Sequence, residues 1–145
     1  MKNDNTLMNH AADNIRILAA AMVEKAKSGH PGGAMGGADF INVLYAEYLQ
    51  YDPANPKWEG RDRFFLDPGH MSPMLYAQLA MTGKFTMDEL KNLRQWGSPT
   101  PGHPEVDVMR GIENTSGPAG TRPCLRHRSC HRRQIPGCTH RKSYF

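Results

Sequence analysis

The chain has 145 residues, room for one domain around one core and too few for a confident second one. Its formal charge of +4 reads as a nucleic-acid signal only until it is divided: residues 1–118 hold 11 basic against 14 acidic side chains, whereas residues 119–145 hold 7 basic and no acidic ones. No apolar run approaches the length that crosses a bilayer and the amino terminus lacks a secretory pattern, so a protein of the cytoplasm with no membrane partner is expected.

In chain order, Ile15, Leu18, Met22 and Val23 recur at helical spacing among alanines, which predicts an amphipathic helix over about residues 7–27, with Gly29 as its left-handed stop. The stretch "KSGHPGGAMGGADF" (27–40) is then a bend, with five glycines and a proline around His30. A second helix is expected over residues 37–50, with Ile41, Leu44, Tyr45, Tyr48 and Leu49 on one broad face. "YDPANPKWEGRD" is a loop, and the apolar run "RFFL" (63–66) reads as a short buried strand that delivers His70 into a loop at its carboxyl end. Ser72 and Pro73 predict a helix start that Gly83 closes. Thr86 with Glu89 predicts a capping box for a helix reaching Trp96. Helix, strand and helix with long glycine-rich connections indicate an α/β layer design, whose ligands sit at strand carboxyl ends.

Four histidines lie in this body. His10 falls within the first helical pattern and is expected on the surface. The other three share one local grammar, "SGHPG", "DPGHMS" and "TPGHPE": glycine comes immediately before the histidine and proline lies within two residues of it. Proline biases His30 and His103 toward extended backbone, and glycine lets the main chain approach a ligand. Imidazole donates, accepts and shuttles protons near neutrality, so three of them in restrained loops suit proton transfer on a hydroxylated substrate or hydrogen bonding to a phosphate. Taken singly, each is better explained as a surface residue in a turn. "GGAMGG" follows a helix and lacks the P-loop Lys-Ser/Thr, and separations of 40 and 33 residues between the histidines carry no metal-ligand spacing.

Together, "KSGHPGGAMGGAD", "RDRFFLDPGH", "LKNLRQWGSPTPGHPE" and "GIENTSGP" closely resemble the amino-terminal part of transketolases, in order, over about residues 10–118. Deoxyxylulose phosphate synthases and dihydroxyacetone synthases share the scheme, and "TPGHPE" favours transketolase. The resemblance implies a thiamine diphosphate enzyme, normally a homodimer, that moves a two-carbon ketol unit from a ketose phosphate to an aldose phosphate. It implies an α/β fold: an incomplete portion of the diphosphate-side parallel-sheet domain, mostly helices and long loops. His30 and His103 would line the substrate channel as catalytic residues, His70 would contact the cofactor near its diphosphate, and Gly117, Pro118 and Ala119 would pass close to its rings. The Mg2+ or Ca2+ of the family would be held by residues beyond those present, so no metal ligand is expected here. A chain ending before those positions is expected to be inactive alone and marginally folded, with helix faces left uncovered.

From residue 119 the text changes to "AGTRPCLRHRSCHRRQIPGCTHRKSYF", which contains all three cysteines of the chain, Cys124, Cys130 and Cys138. The body therefore has no disulfide framework and no thiol chemistry. Clustered Cys124, His127, Cys130 and His131 admit a zinc or nucleic-acid module as the alternative function. A shifted reading frame explains more. The family typically continues with Leu-Gly-Gln-Gly-His, and the codons CTG GGA CAA GGC CAT preceded by one G read Ala-Gly-Thr-Arg-Pro, the residues at 119–123. The expected organisation is thus a partial amino-terminal domain over 1–118 and a non-homologous, disordered, frameshift-derived tail over 119–145, with no nucleic-acid partner.

Overall fold

The computed structural model describes residues 4–116, a set of helices packed around one of their number. Helix α1 (Asn5–Ala26) forms where alanines and straight-chain residues dominate. Asp4 caps its start by accepting from the Thr6 amide at 3.0 Å. Met8, Ala12, Ile15, Ala19, Met22 and Val23 form its buried stripe. Its left-handed end falls on Lys27 (φ +50), two residues before the expected Gly29, which itself sits at φ +132.

The expected bend after His30 is instead helical. Pro31 occupies the first position of α2 (Pro31–Gly36), a place that needs no amide hydrogen. So glycine-rich a turn has little intrinsic helicity, and packing supports it: a methyl group added at Gly33 would lie 3.1 Å from Met71, and one at Gly37 would lie 2.5 Å from the Met74 sulfur. The helix expected over 37–50 is divided. Helix α3 (Ala38–Val43) runs into one wide π turn, Leu44–Tyr48, which the Leu49 amide closes on the Leu44 carbonyl at 2.8 Å.

No strand forms over 63–66, and among the described residues the one ladder-like contact is an isolated bridge between Asp107 and Ile112. An apolar run becomes a strand only when a neighbouring strand pairs with its backbone, and among the described residues no strand is paired with this one. Leu66 and the partly buried Phe64 pack into the helical core instead. The described part is therefore helical, without the layered sheet expected from the sequence.

A 3-10 turn, Gly69–Met71, leads into α4 (Ser72–Met81), whose residues 72–79 are all buried. Met71 holds the cap position, and Ser72, the expected cap, is already helical and sends its hydroxyl elsewhere. Helix α5 (Met87–Lys91) has the expected capping box, with the Glu89 amide donating to Thr86 Oγ1 and the Thr86 amide to Glu89 Oε2. It stops five residues short of Trp96, and Arg94 then takes a left-handed turn at φ +61. Ile15, Ile41, Leu75, Tyr76, Leu79 and Leu90 lie in the common core, on which α1, α3, α4 and α5 converge.

Candidate active site: three histidine loops

His30 is the residue before α2, in extended conformation (φ −125°, ψ 101°) as its following proline dictates, and its side chain is exposed. His70 is the middle residue of the turn that enters α4 and is half-buried. Their rings meet edge to face, with centroids 5.2 Å apart and planes at 75°. His103 arrives from the other side. Its Cδ2 lies 2.7 Å from where a Cβ on Gly69 would stand, and Ser116 Cβ lies 2.5 Å from the same point. Only glycine lets the main chain pass between that imidazole and Ser116. Three loops 40 and 33 residues apart thus gather around the Gly69–His70 turn.

Helix α4 supplies the scaffold. Ser72 Oγ donates to the Gly102 carbonyl at 2.8 Å, and Tyr76 Oη donates to the Pro101 carbonyl at 2.8 Å, so the chain leading to His103 is pinned along that helix. Burial pushes the Tyr76 phenol well above its ordinary range, helped by the charge of Glu105, so it stays protonated as a donor. The Ser116 amide donates to the Pro104 carbonyl at 2.8 Å and its hydroxyl to the Leu66 carbonyl at 3.3 Å, which closes the far side of the turn.

A cavity of about 720 Å³ opens beside His103, with Arg94, Trp96, Glu105 and Asp107 in its walls. Among the described residues no three His, Cys, Asp or Glu side chains stand where they could hold a metal ion. At the turn it is the imidazoles that suit anionic and hydroxyl oxygens, because the hydroxyls of Ser72, Tyr76 and Ser116 already donate to main-chain carbonyls. His10 is exposed on α1, as expected. Gly117, Pro118 and Ala119, and the cysteine- and arginine-rich tail, lie outside the described residues.

Sequence reasoning does not find Ser72, Tyr76, Arg94 and Ser116. Their part is to hold loops, and nothing in residue type or spacing announces a partner 25 to 66 positions away.

Residues 7–124 match the family model described as the transketolase, thiamine diphosphate binding domain. The chain is 52% identical to transketolase 1 of Escherichia coli over 110 residues, 75% of this chain and 17% of that protein. It is 50% identical to a chloroplastic transketolase of Arabidopsis thaliana over 119 residues, 81% of this chain and 16% of the other. Transketolase from Leishmania mexicana superposes with a TM-score of 0.75 at 48% identity, covering 79% of this chain and 17% of that one. A transketolase from Pichia stipitis in complex with sedoheptulose-7-phosphate superposes with a TM-score of 0.75 at 38% identity, over 83% of this chain and 18% of the other. The chain thus spans about a sixth of the length of the curated relatives it matches.

Proposed function

The chain belongs to the transketolase family through its thiamine diphosphate-binding domain, and from that membership we propose that it carries the histidine pocket of an enzyme that transfers a two-carbon ketol unit between sugar phosphates. The observation that carries this reading is the meeting of three sequence-distant histidine loops at one glycine turn. The sugar phosphate bound to the Pichia relative supports the substrate class.

When bound, thiamine diphosphate supplies the nucleophilic carbon for exchange of the carbon–carbon bond. The half-buried His70 would donate to a diphosphate oxygen. His30 and His103, both exposed, would donate to sugar hydroxyls and to the substrate's carbonyl oxygen, help that is typically worth about 10²–10⁴ in rate. By family resemblance Gly117, Pro118 and Ala119, which lie outside the described residues, would contribute to cofactor binding. The Mg2+ or Ca2+ takes its ligands from residues other than the described ones. The parallel sheet of an α/β domain, assembly as a homodimer and residence in the cytoplasm complete the reading. No helix among the described residues is long and apolar enough to cross a membrane. Ile17, Phe40 and Tyr48 leave apolar surface exposed that a further part of such a domain could cover.

Titration calorimetry with thiamine diphosphate on the full 145-residue chain tests the pocket. Saturable binding is expected, and His70→Ala should weaken it about tenfold, the scale of one hydrogen bond to a charged group. Binding indifferent to His70 would refute the assignment. We read residues 119–145 as frame-shifted. Sequencing the gene across codon 118 checks this, and an unbroken frame would end the idea. The relatives are transketolases, and they do not favour a zinc or nucleic-acid function of the tail.

A further inference from the structure

Arg94 is one of two residues other than glycine with positive φ among the described residues, and the other, Lys27, merely ends a helix. A left-handed arginine in the turns that follow α5 is a conformation that side-chain sterics oppose, so something holds it there. Its amide donates to the carbonyl of the fully buried Thr100 at 3.0 Å, and Thr100 Oγ1 donates in turn to the Glu89 carbonyl of α5 at 2.9 Å. The twist aims the side chain back across the site. Arg94 Nη1 donates to Ser28 Oγ at 3.1 Å, two residues before His30. The same guanidinium lies flat on Gly102, one residue before His103: a Cβ there would stand 2.8 Å from Nε, 3.0 Å from Cζ and 3.2 Å from Nη2. Gly29 is also within reach, its Cβ position 3.8 Å from Nε.

We propose that Arg94 is a positioning residue that spans the loops bearing His30 and His103 and fixes the separation of the two imidazoles. The inference rests on the reading of those histidines as the sugar-facing pair. A planar fork does this work where an ammonium would not: one edge donates to Ser28 while the face covers the Gly102 backbone. It also accounts for glycine at 102, since any side chain would displace the guanidinium.

The test uses the full 145-residue chain with labelled histidines, followed by nuclear magnetic resonance. The wild type should give through-space cross-peaks between the His30 and His70 rings and between the His103 ring and the Gly69 α protons. Arg94→Ala should abolish both, with His10 signals and the thermal midpoint unchanged. Arg94→Lys should restore the His30–His70 cross-peak through Ser28 and leave the His103–Gly69 one missing. Ser28→Ala, a milder change, should abolish only the His30–His70 cross-peak. Both cross-peaks surviving in Arg94→Ala would overturn the proposal. So would their disappearance together with shifted His10 signals and a lower midpoint, because that pattern belongs to a general folding role. Thiamine diphosphate titration of the wild type separates the two readings. If Arg94→Ala abolishes both cross-peaks while the wild type binds no cofactor, the pocket assignment falls and the role of Arg94 stands. Cofactor binding by the wild type, with both cross-peaks intact in Arg94→Ala, does the reverse.

Discussion

Two parts of the molecule solve the problem of joining distant loops by opposite means. Around Arg61 and Glu113 the joint is a buried charge pair: Arg61 Nε donates to Glu113 Oε1 at 2.8 Å and Nη2 to Oε2 at 3.0 Å, with the side chains 7% and 9% exposed. Tyr45 packs edge-on against Tyr51 and Phe64 beside it, and burial holds the Tyr45 phenol far above its ordinary range. The cavity there, about 40 Å³, has room for a few waters. Around His70 the joint is made by main chain passing close to side chains at Gly69 and Gly102, with His30 and His103 left at the surface and His103 beside a cavity of about 720 Å³. One region is joined by buried charges; the other is held closely from behind, with two of its histidines at the surface.

The largest effect should come from the charge-joined region. Glu113→Ala leaves Arg61 buried and unpaired, and should cost about 3–5 kcal/mol in denaturant unfolding, much of a small domain's stability. A loss below about 1 kcal/mol would mean that the pair behaves as an exposed one and the contrast is false. At the histidine region, Gly69→Ala pushes a methyl group between His103 and Ser116, and should cost about 1–3 kcal/mol by overpacking. It should also shift the resonances of both His70 and His103, and unchanged histidine spectra would deny the close approach. Tyr76→Phe removes the donor to the Pro101 carbonyl and should cost about 1 kcal/mol by urea titration, since one buried acceptor goes unpaired.

The smallest effect is a pH dependence at α5, between the two regions in character. The hydrogen bond from Arg110, aided by the Thr86 amide, holds the Glu89 carboxyl down at about 2, against an ordinary 4.5. Its folded-state value is depressed, so its contribution is complete above 4.5 and disappears as pH falls from there toward 2. The thermal midpoint should fall across that window, and Glu89→Gln should flatten its share of the slope. A slope unchanged in the variant would place the acid sensitivity elsewhere.

What could be read beforehand follows the range of the interactions concerned. The capping box of Thr86 and Glu89 is a contact three residues long, and α1 repeats its stripe over six turns, so both were legible. The histidine loops were legible as a set because Gly and Pro restrain backbone locally, whereas their meeting depends on Gly69 seen from His103, 34 positions on. "RFFL" misled because apolarity announces burial but not a pairing partner. "PGGAMG" misled because its helix is imposed by Met71 and Met74 against a poor intrinsic propensity. Arg61 and Glu113, 52 residues apart, look in the sequence like any two surface charges.

Trp96 is fully exposed in the wall of the cavity that His103 also lines, and the chain has only one other tryptophan, Trp58. The protein therefore carries its own fluorophore at the mouth of the pocket. Once Trp58→Phe has silenced the second emitter, the colour of the remaining light reports whether anything has settled over that opening.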